Sequence, residues 1–189
     1  MILTNTQGLS YDFILGRLPR AKHEWFIDAS TSYGCGGVAG YRYFSIKNSR
    51  CTKSQFFGQK IRFDNVSIAY RELLSAVIAF LCFAPHTPSS LVRINTDNKN
   101  VVSWLNKGRC SKKLGYRLLS VIELIKLKYQ LKISVYYIES SKNSSADMLS
   151  RGEYPGWLRK RGTRCHVNTA EIDEILLNPI MFWKKTLSL

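Results

Sequence analysis

The sequence predicts an α/β fold, a single domain built on a five-stranded mixed sheet with three antiparallel and two parallel strands, flanked by helices. Two observations predict it. Short apolar runs that end at polar residues, typical of strands, alternate along the chain with segments whose apolar side chains recur at helical spacing. The chain of 189 residues with 45% hydrophobic content can bury one good core, which makes a second full domain unexpected.

The first three strands are expected before residue 62. Trp25-Phe26-Ile27 is a short apolar run that stops at Asp28, and residues 33–40 are rich in glycine. These features predict two strands joined by a tight turn. Residues 41–61 then predict a third strand together with loops.

A helix, a strand and two further helices are expected next. Residues 66–83 repeat apolar side chains at helical spacing, and Pro85 and Pro88 end that helix. The segment 91–96 is a compact strand. Two helices follow, at about 98–107, where Gly108 stops the helix, and at about 114–130.

The chain closes the predicted domain with a strand over 132–138 and a helix that begins at Ser144. A helical crossover between parallel strands is right-handed, which places the last two strands on the far side of the first strand. The ends of neighbouring parallel strands then meet at one edge of the sheet, where sites form in open α/β sheets.

Four carboxylates stand in the contexts that such a site requires. Asp28 and Asp97 follow predicted strands, Glu72 lies on the first helix, and Asp147 lies in the first turns of the last helix. Carboxylate oxygens are the ligands that Mg²⁺ prefers. Each acid alone has an ordinary interpretation, for example Asp97 as a helix cap or Asp147 as a first-turn acid. The joint occurrence favours a metal site.

The charge of the chain indicates a polyanionic partner. Lys and Arg number 28 against 13 Asp and Glu, a net charge of +15. Nucleic acid is the leading partner and an anionic membrane surface the weaker one. The longest apolar stretch, residues 76–84, is far shorter than a membrane span, so we expect no membrane partner. The predicted nucleic-acid contacts are Lys107, Arg109, Lys112, Lys113 and Arg117.

The cysteines bear on where the protein works. Five cysteines without a C-x-x-C pair argue against both a disulfide framework and a zinc site. The opening residues also lack a basic region followed by an apolar run. We therefore expect an intracellular protein, cytoplasmic or nuclear.

Four motifs in order resemble the ribonuclease H domain of retrotransposon reverse transcriptases of the BEL/Pao-like or DIRS-like type. The similarity covers about residues 25–152. The motifs are Asp28-Ala-Ser followed by glycines, Glu72-Leu-Leu-Ser-Ala, Thr96-Asp-Asn-Lys-Asn-Val-Val-Ser-Trp-Leu105, and Asn143-Ser-Ser-Ala-Asp147-Met-Leu-Ser-Arg151. The last of these is the most specific, since the family commonly reads N-x-x-A-D-x-L-S-R there.

The resemblance implies a ribonuclease H-like fold and a two-metal endonuclease that hydrolyses the RNA strand of RNA–DNA hybrids. It implies two Mg²⁺ ions, for which Mn²⁺ may substitute. By that analogy Asp28 would bridge both ions, and Asp147 would help to hold the ion that activates water. Glu72 and Asp97 would hold the ion that faces the leaving 3′ oxygen. The alternatives are a non-catalytic module that binds nucleic acid or positions a polymerase, and a DNA-directed nuclease on the same fold.

Two extensions flank the predicted domain of residues 24–152. Residues 1–23 read as a connection, and residues 153–189 as a basic C-terminal extension with a short helix, for which Asn168 and Glu171 form a capping box. The apolar run 180–183 is expected to pack back on the domain, or to dock onto a polymerase subunit or a second copy of the chain.

Overall fold

The computed structural model describes residues 21–47, 55–56, 59–60 and 66–167. Strands β1 (His23–Ala29), β2 (Gly34–Ala39) and β3 (Arg42–Lys47) form an antiparallel meander, as predicted. Asp28 faces Gly36 in the β1–β2 register. Two short strands, β4 (Gln55–Phe56) and β5 (Gln59–Lys60), pair antiparallel in a separate sheet, within the segment 41–61 where the sequence predicted a third strand together with loops.

The parallel half of the sheet lies where the right-handed crossover rule places it. Strands β6 (Leu91–Thr96) and β7 (Lys132–Tyr137) pair parallel to one another, and β6 pairs parallel to β1. The strand order is therefore β7-β6-β1-β2-β3, continued by one further strand. Both strands match their predicted bounds to within one residue.

The prediction of five strands was wrong by one. Strand β8 (Thr163–Arg164) pairs parallel to β3 and makes the sheet six-stranded. The backbone N–H of Thr163 donates to the carbonyl of Tyr41, and that of Cys165 donates to the carbonyl of Tyr43. A two-residue strand carries no periodicity of its own, so only the exposed edge of β3 determines that it forms.

Helix α1 (Ile68–Phe83) covers one face of the sheet. The alternation in β1 sends Trp25 and Ile27 to this face, where Trp25 meets Phe80 and Phe83 edge to face at 5.1 and 5.6 Å between ring centroids. The stretch Ile68–His86 is long and apolar enough to cross a membrane, but 83% of its apolar 18-residue window is buried in the fold. Burial of this kind is typical of a helix that packs in the core of a fold.

Helices α2 (Lys99–Lys107) and α3 (Lys113–Tyr129) connect β6 to β7, and α3 packs against α1. The side chain of Asn98, not Asp97, caps α2 by accepting from the backbone N–H groups of Asn100 and Val101. Gly108 ends α2 in the left-handed conformation, with φ of 62°. The interpretation of Asp97 as a helix cap was therefore wrong, which leaves its carboxylate available for another role.

The opposite face of the sheet carries α4 (Ser144–Ser150) and α5 (Gly156–Arg161). Leu149 of α4 and Leu158 of α5 are buried with Val38 of β2 in a second, smaller apolar cluster. Residues beyond the predicted boundary at 152 thus pack on the sheet. The predicted C-terminal helix and the apolar run 180–183, like most of the N-terminal extension, lie outside the described residues.

Candidate metal centre

Two neighbouring strands bring Asp28 and Asp97 to the same edge of the sheet. Asp28 is the penultimate residue of β1, and Asp97 directly follows the last residue of β6. The two strands are paired in parallel, so their carboxyl ends meet. This is the position at which open α/β sheets form sites.

Glu72 reaches the same place from the first turns of α1. The residue is buried, and the end of β6 holds both of its carboxylate oxygens. The hydroxyl of Thr96 donates to Oε2 at 3.2 Å, and the amide of Asn98 donates to Oε1 at 3.1 Å. The Thr96-Asp97-Asn98 motif therefore supplies one acid of the site and both donors that position a second acid.

The other two acids accept hydrogen bonds from serines of α4 and of the turn that precedes it. The hydroxyl of Ser150, on α4, donates to Oδ2 of Asp28 at 2.5 Å. The hydroxyl of Ser140 donates to Oδ2 of Asp97 at 2.5 Å. Asp28 is buried and Asp97 is half-buried, so the pair presents one shielded and one accessible carboxylate.

One ligand oxygen from each of Asp28, Glu72 and Asp97 lies within 4.8 Å of the others. Three carboxylates on three separate elements supply only hard oxygen donors, which suits a hard divalent cation such as Mg²⁺ or Mn²⁺. The side chains present therefore fit the predicted metal. These three positions are the predicted ligands that the structure brings together.

The electrostatics of the cluster also favour a bound cation. Burial, followed by repulsion from Asp28 and Asp97, raises the pKa of Glu72 from 4.5 to about 8, although the hydrogen bond from Asn98 opposes the shift. Burial also raises the pKa of Asp28, and the charges of Asp97 and Asp147 add to that rise. Raised pKa values show that the ionised carboxylates are unfavourable in this cluster, and a bound cation would stabilise them.

Asp147 stands apart from this triad. Its Oδ1 accepts two hydrogen bonds from the guanidinium of Arg151, at 2.7 and 2.9 Å. Both side chains are well exposed, and such i,i+4 pairs contribute little stability. Asp147 nevertheless lies close enough to raise the pKa of Asp28. Its role as a fourth ligand stays a prediction.

The glycines of β2 explain how α4 comes so close to the acids. A Cβ on Gly36 would lie 2.3 Å from the backbone nitrogen of Ser150 and 2.6 Å from the carbonyl carbon of Leu149. The hydroxyls of Ser30 and Ser45 also tie the sheet to this helix, by donating to the carbonyls of Ser150 and Leu149 at 2.7 Å. The bare backbone at Gly36 thus sets the distance between Ser150 and Asp28.

The sequence did not single out the hydrogen-bond donors of the site. Thr96 and Asn98 flank Asp97, so their adjacency to an acid was an available signal. Ser150 stands in the motif N-x-x-A-D-x-L-S-R, whereas Ser140 had no signal, because a serine near a helix end is ordinary. Their role depends on the approach of α4 and its preceding turn to β1, which only the tertiary structure reveals.

The five predicted nucleic-acid contacts lie on one continuous stretch, from the end of α2 through its loop into α3. Lys107, Arg109, Lys112 and Lys113 are exposed, and Arg117 is half-buried, where burial lowers its pKa. Helix α2 begins beside Asp97 and is nine residues long, so the stretch starts about 14 Å from the acids. Contact with nucleic acid stays a prediction.

Trp104, in the motif that follows Asp97, packs against α1. Its ring stacks on that of Tyr70, with centroids 5.0 Å apart and planes inclined by 23°. This contact joins α2 to α1 beneath the basic stretch.

Stability of the metal-free protein should fall as pH rises. The pKa of Glu72 is higher in the fold, about 8, than its ordinary value of 4.5. Between these two pKa values the folded state keeps a proton that the unfolded state releases. The stability that neutral Glu72 contributes is therefore complete below pH 4.5 and is lost as the pH rises through about 8. Thermal melting in chelator across that interval measures it. Glu72→Gln should flatten the decline, and an unchanged slope would show that Glu72 is not its cause.

Among solved structures, the chain is similar to the crystal structure of RNase H1 from the halophilic archaeon Halobacterium salinarum NRC-1. The sequence identity is 13% and the TM-score is 0.48. The match covers 67% of this chain and 92% of that one. No protein-family model and no curated protein matches the sequence.

Proposed function

We propose that the protein is a ribonuclease H-type endonuclease that hydrolyses the RNA strand of RNA–DNA hybrids. The observation that carries the proposal is the meeting of Asp28, Glu72 and Asp97 within 4.8 Å, on a chain with a net charge of +15. An acidic cluster on a strongly basic chain suits a cation-dependent reaction on a polyanion. The motifs around these acids resemble those of retroelement ribonuclease H domains, which supports the choice of substrate and an origin in a reverse transcriptase.

Each side chain has a stated task in this reaction. Asp28, Glu72 and Asp97 would hold the divalent ions, and Asp147 would join them after it parts from Arg151. Bound Mg²⁺ supplies stabilisation of the attacking and leaving oxygens of an in-line displacement at phosphate. Ser150, Ser140, Thr96 and Asn98 keep the carboxylate oxygens in place, so little reorganisation is needed when substrate arrives.

The direct test is a cleavage assay on three labelled duplexes, namely an RNA–DNA hybrid, duplex RNA and duplex DNA, each with Mg²⁺, Mn²⁺ or chelator. We expect cleavage of the RNA strand of the hybrid in Mg²⁺ or Mn²⁺, with 5′-phosphate and 3′-hydroxyl products, and none in chelator. Cleavage of duplex DNA instead would favour a DNA-directed nuclease. Binding of the hybrid without cleavage in either metal would favour the non-catalytic module.

A further inference from the structure

A small cleft opens on the face of the sheet that carries α4 and α5. Its volume is about 250 Å³. This is less than the pockets of about 300–1,000 Å³ that enclose drug-sized ligands, so it suits a single flat ring system. The residues that line it include the apolar Phe26, Val38 and Ala146, the polar Lys142 and Asn143, and the indole of Trp157.

Asn143, one of the residues that line the cleft, is held from the side of β1. Asn143 is only 1% exposed, and its amide donates to the carbonyl of Ile27 at 3.0 Å. Its Oδ1 atom is buried and has no hydrogen-bond partner among the described residues. A buried acceptor left unpaired costs free energy. Because Oδ1 has almost no accessible surface, Asn143 contributes to the cleft by packing, and a ligand could reach its acceptor only if the side chain moved.

The rim of the cleft presents an aromatic surface. Trp157 is 45% exposed, although tryptophan is usually well buried. Its ring meets that of Tyr41 edge to face, with centroids 6.3 Å apart, and Tyr41 is itself exposed. The contact holds the indole in one orientation and leaves part of it open. Exposed aromatic rings of this kind are the surfaces on which unpaired bases stack.

Positively charged residues lie on the same helix as Trp157 and among the residues that line the cleft. Arg159, Lys160 and Arg161 form the last turn of α5, the helix that carries Trp157, and all three are exposed. Lys142 stands exposed at the rim of the cleft. Cations beside an aromatic ring match the alternation of phosphate and base along a nucleic-acid strand.

We propose that this cleft holds one unstacked nucleobase of a bound nucleic-acid strand. The base stacks on Trp157, while the end of α5 contacts phosphates. Every base has a π face, so stacking of this kind confers little sequence preference. Phe26 precedes Asp28 by two residues on the same face of β1, about 7 Å along the strand. This proposal rests on the proposed function for the presence of a strand beside the acids.

The test compares two probes in chelator, where no cleavage occurs. One is a short oligodeoxycytidylate, and the other has the same backbone with abasic residues. The wild-type protein should bind the first about tenfold more tightly, because stacking on an aromatic ring contributes roughly that much. Trp157→Ala should bind both probes with nearly equal affinity, and Trp157→Phe should recover much of the preference.

Tyr136→Ala is the matched control. Tyr136 is exposed to a similar extent, 41%, but lies on β7 at the opposite edge of the sheet. The control should keep the preference for the base-containing probe. If Trp157→Ala keeps it too, or if the wild-type protein shows none, the cleft does not bind a base. These measurements need no catalysis, so a protein that fails to cut hybrids could still pass them, and an active nuclease could fail them.

Discussion

Replacing Asp97 by asparagine should reduce Mg²⁺-dependent cleavage of the hybrid by at least about a hundredfold. Asp97 is the half-buried member of the triad, and its carboxylate accepts from Ser140 at 2.5 Å. Asparagine has the same shape but lacks the charge that a hard cation requires. Removing a negative charge from the acidic cluster also relieves repulsion, so the metal-free fold should melt no lower than the wild type.

Glu123→Gln provides a control with the same change of charge. Glu123 is exposed on α3, where it pairs with Lys126 at 2.8 Å. That variant should cleave at the wild-type rate, and both variants should bind hybrid in chelator with near wild-type affinity. Undiminished cleavage by Asp97→Asn, or wild-type cleavage that survives chelator, would contradict the metal assignment.

Replacing Gly36 by alanine should destabilise the fold and impair the site together. The added methyl group would lie 2.3 Å from the backbone of Ser150, and backbone atoms cannot turn aside as a flexible side chain can. Overpacking of this kind costs about 1–3 kcal/mol. A domain of this size loses roughly 2–4 °C in Tm per kcal/mol. Displacement of α4 would also weaken the bond from Ser150 to Asp28, so Mg²⁺-dependent activity should fall in the protein that remains folded.

Gly156→Ala is the matched control, since a Cβ at that position meets nothing within 4 Å. Melting followed by circular dichroism should show little change for this variant. If Gly36→Ala melts and cleaves like the wild type, the close approach of α4 does not set the geometry at Asp28.

The elements that the sequence predicted best are those whose periodicity is enforced by burial on a defined face. Strand β6 and helix α1 agree with the prediction to within two residues, because their apolar side chains face the core at strand or helical spacing. The triad was also predictable, since each of its acids stands at an element end or on a core helix. Strand β8 was not, because its partner is a distant strand edge and its own two residues are both exposed.

The details of the site depended on contacts between distant segments. Whether Asp97 or Asn98 caps α2 cannot be decided from two adjacent residues that both favour caps. The pairing of Asp147 with Arg151 follows ordinary i,i+4 spacing and could have been read from the sequence. Ser140 lies 43 residues from its acceptor Asp97 in the sequence, and Ser150 lies 122 residues from its acceptor Asp28. No local sequence pattern predicts hydrogen bonds over such separations.

The short strand β8 has a consequence for aggregation. Without it, β3 would present unpaired backbone groups along an open sheet edge, a template for pairing with another chain. Two residues are enough to cover part of that edge, and Arg164 places a positive charge on the new border. A chain cut after residue 152 would lose this cover, together with the buried side chain of Leu158, and would be prone to self-association. The shortest chain that folds without self-association should therefore extend at least through Cys165.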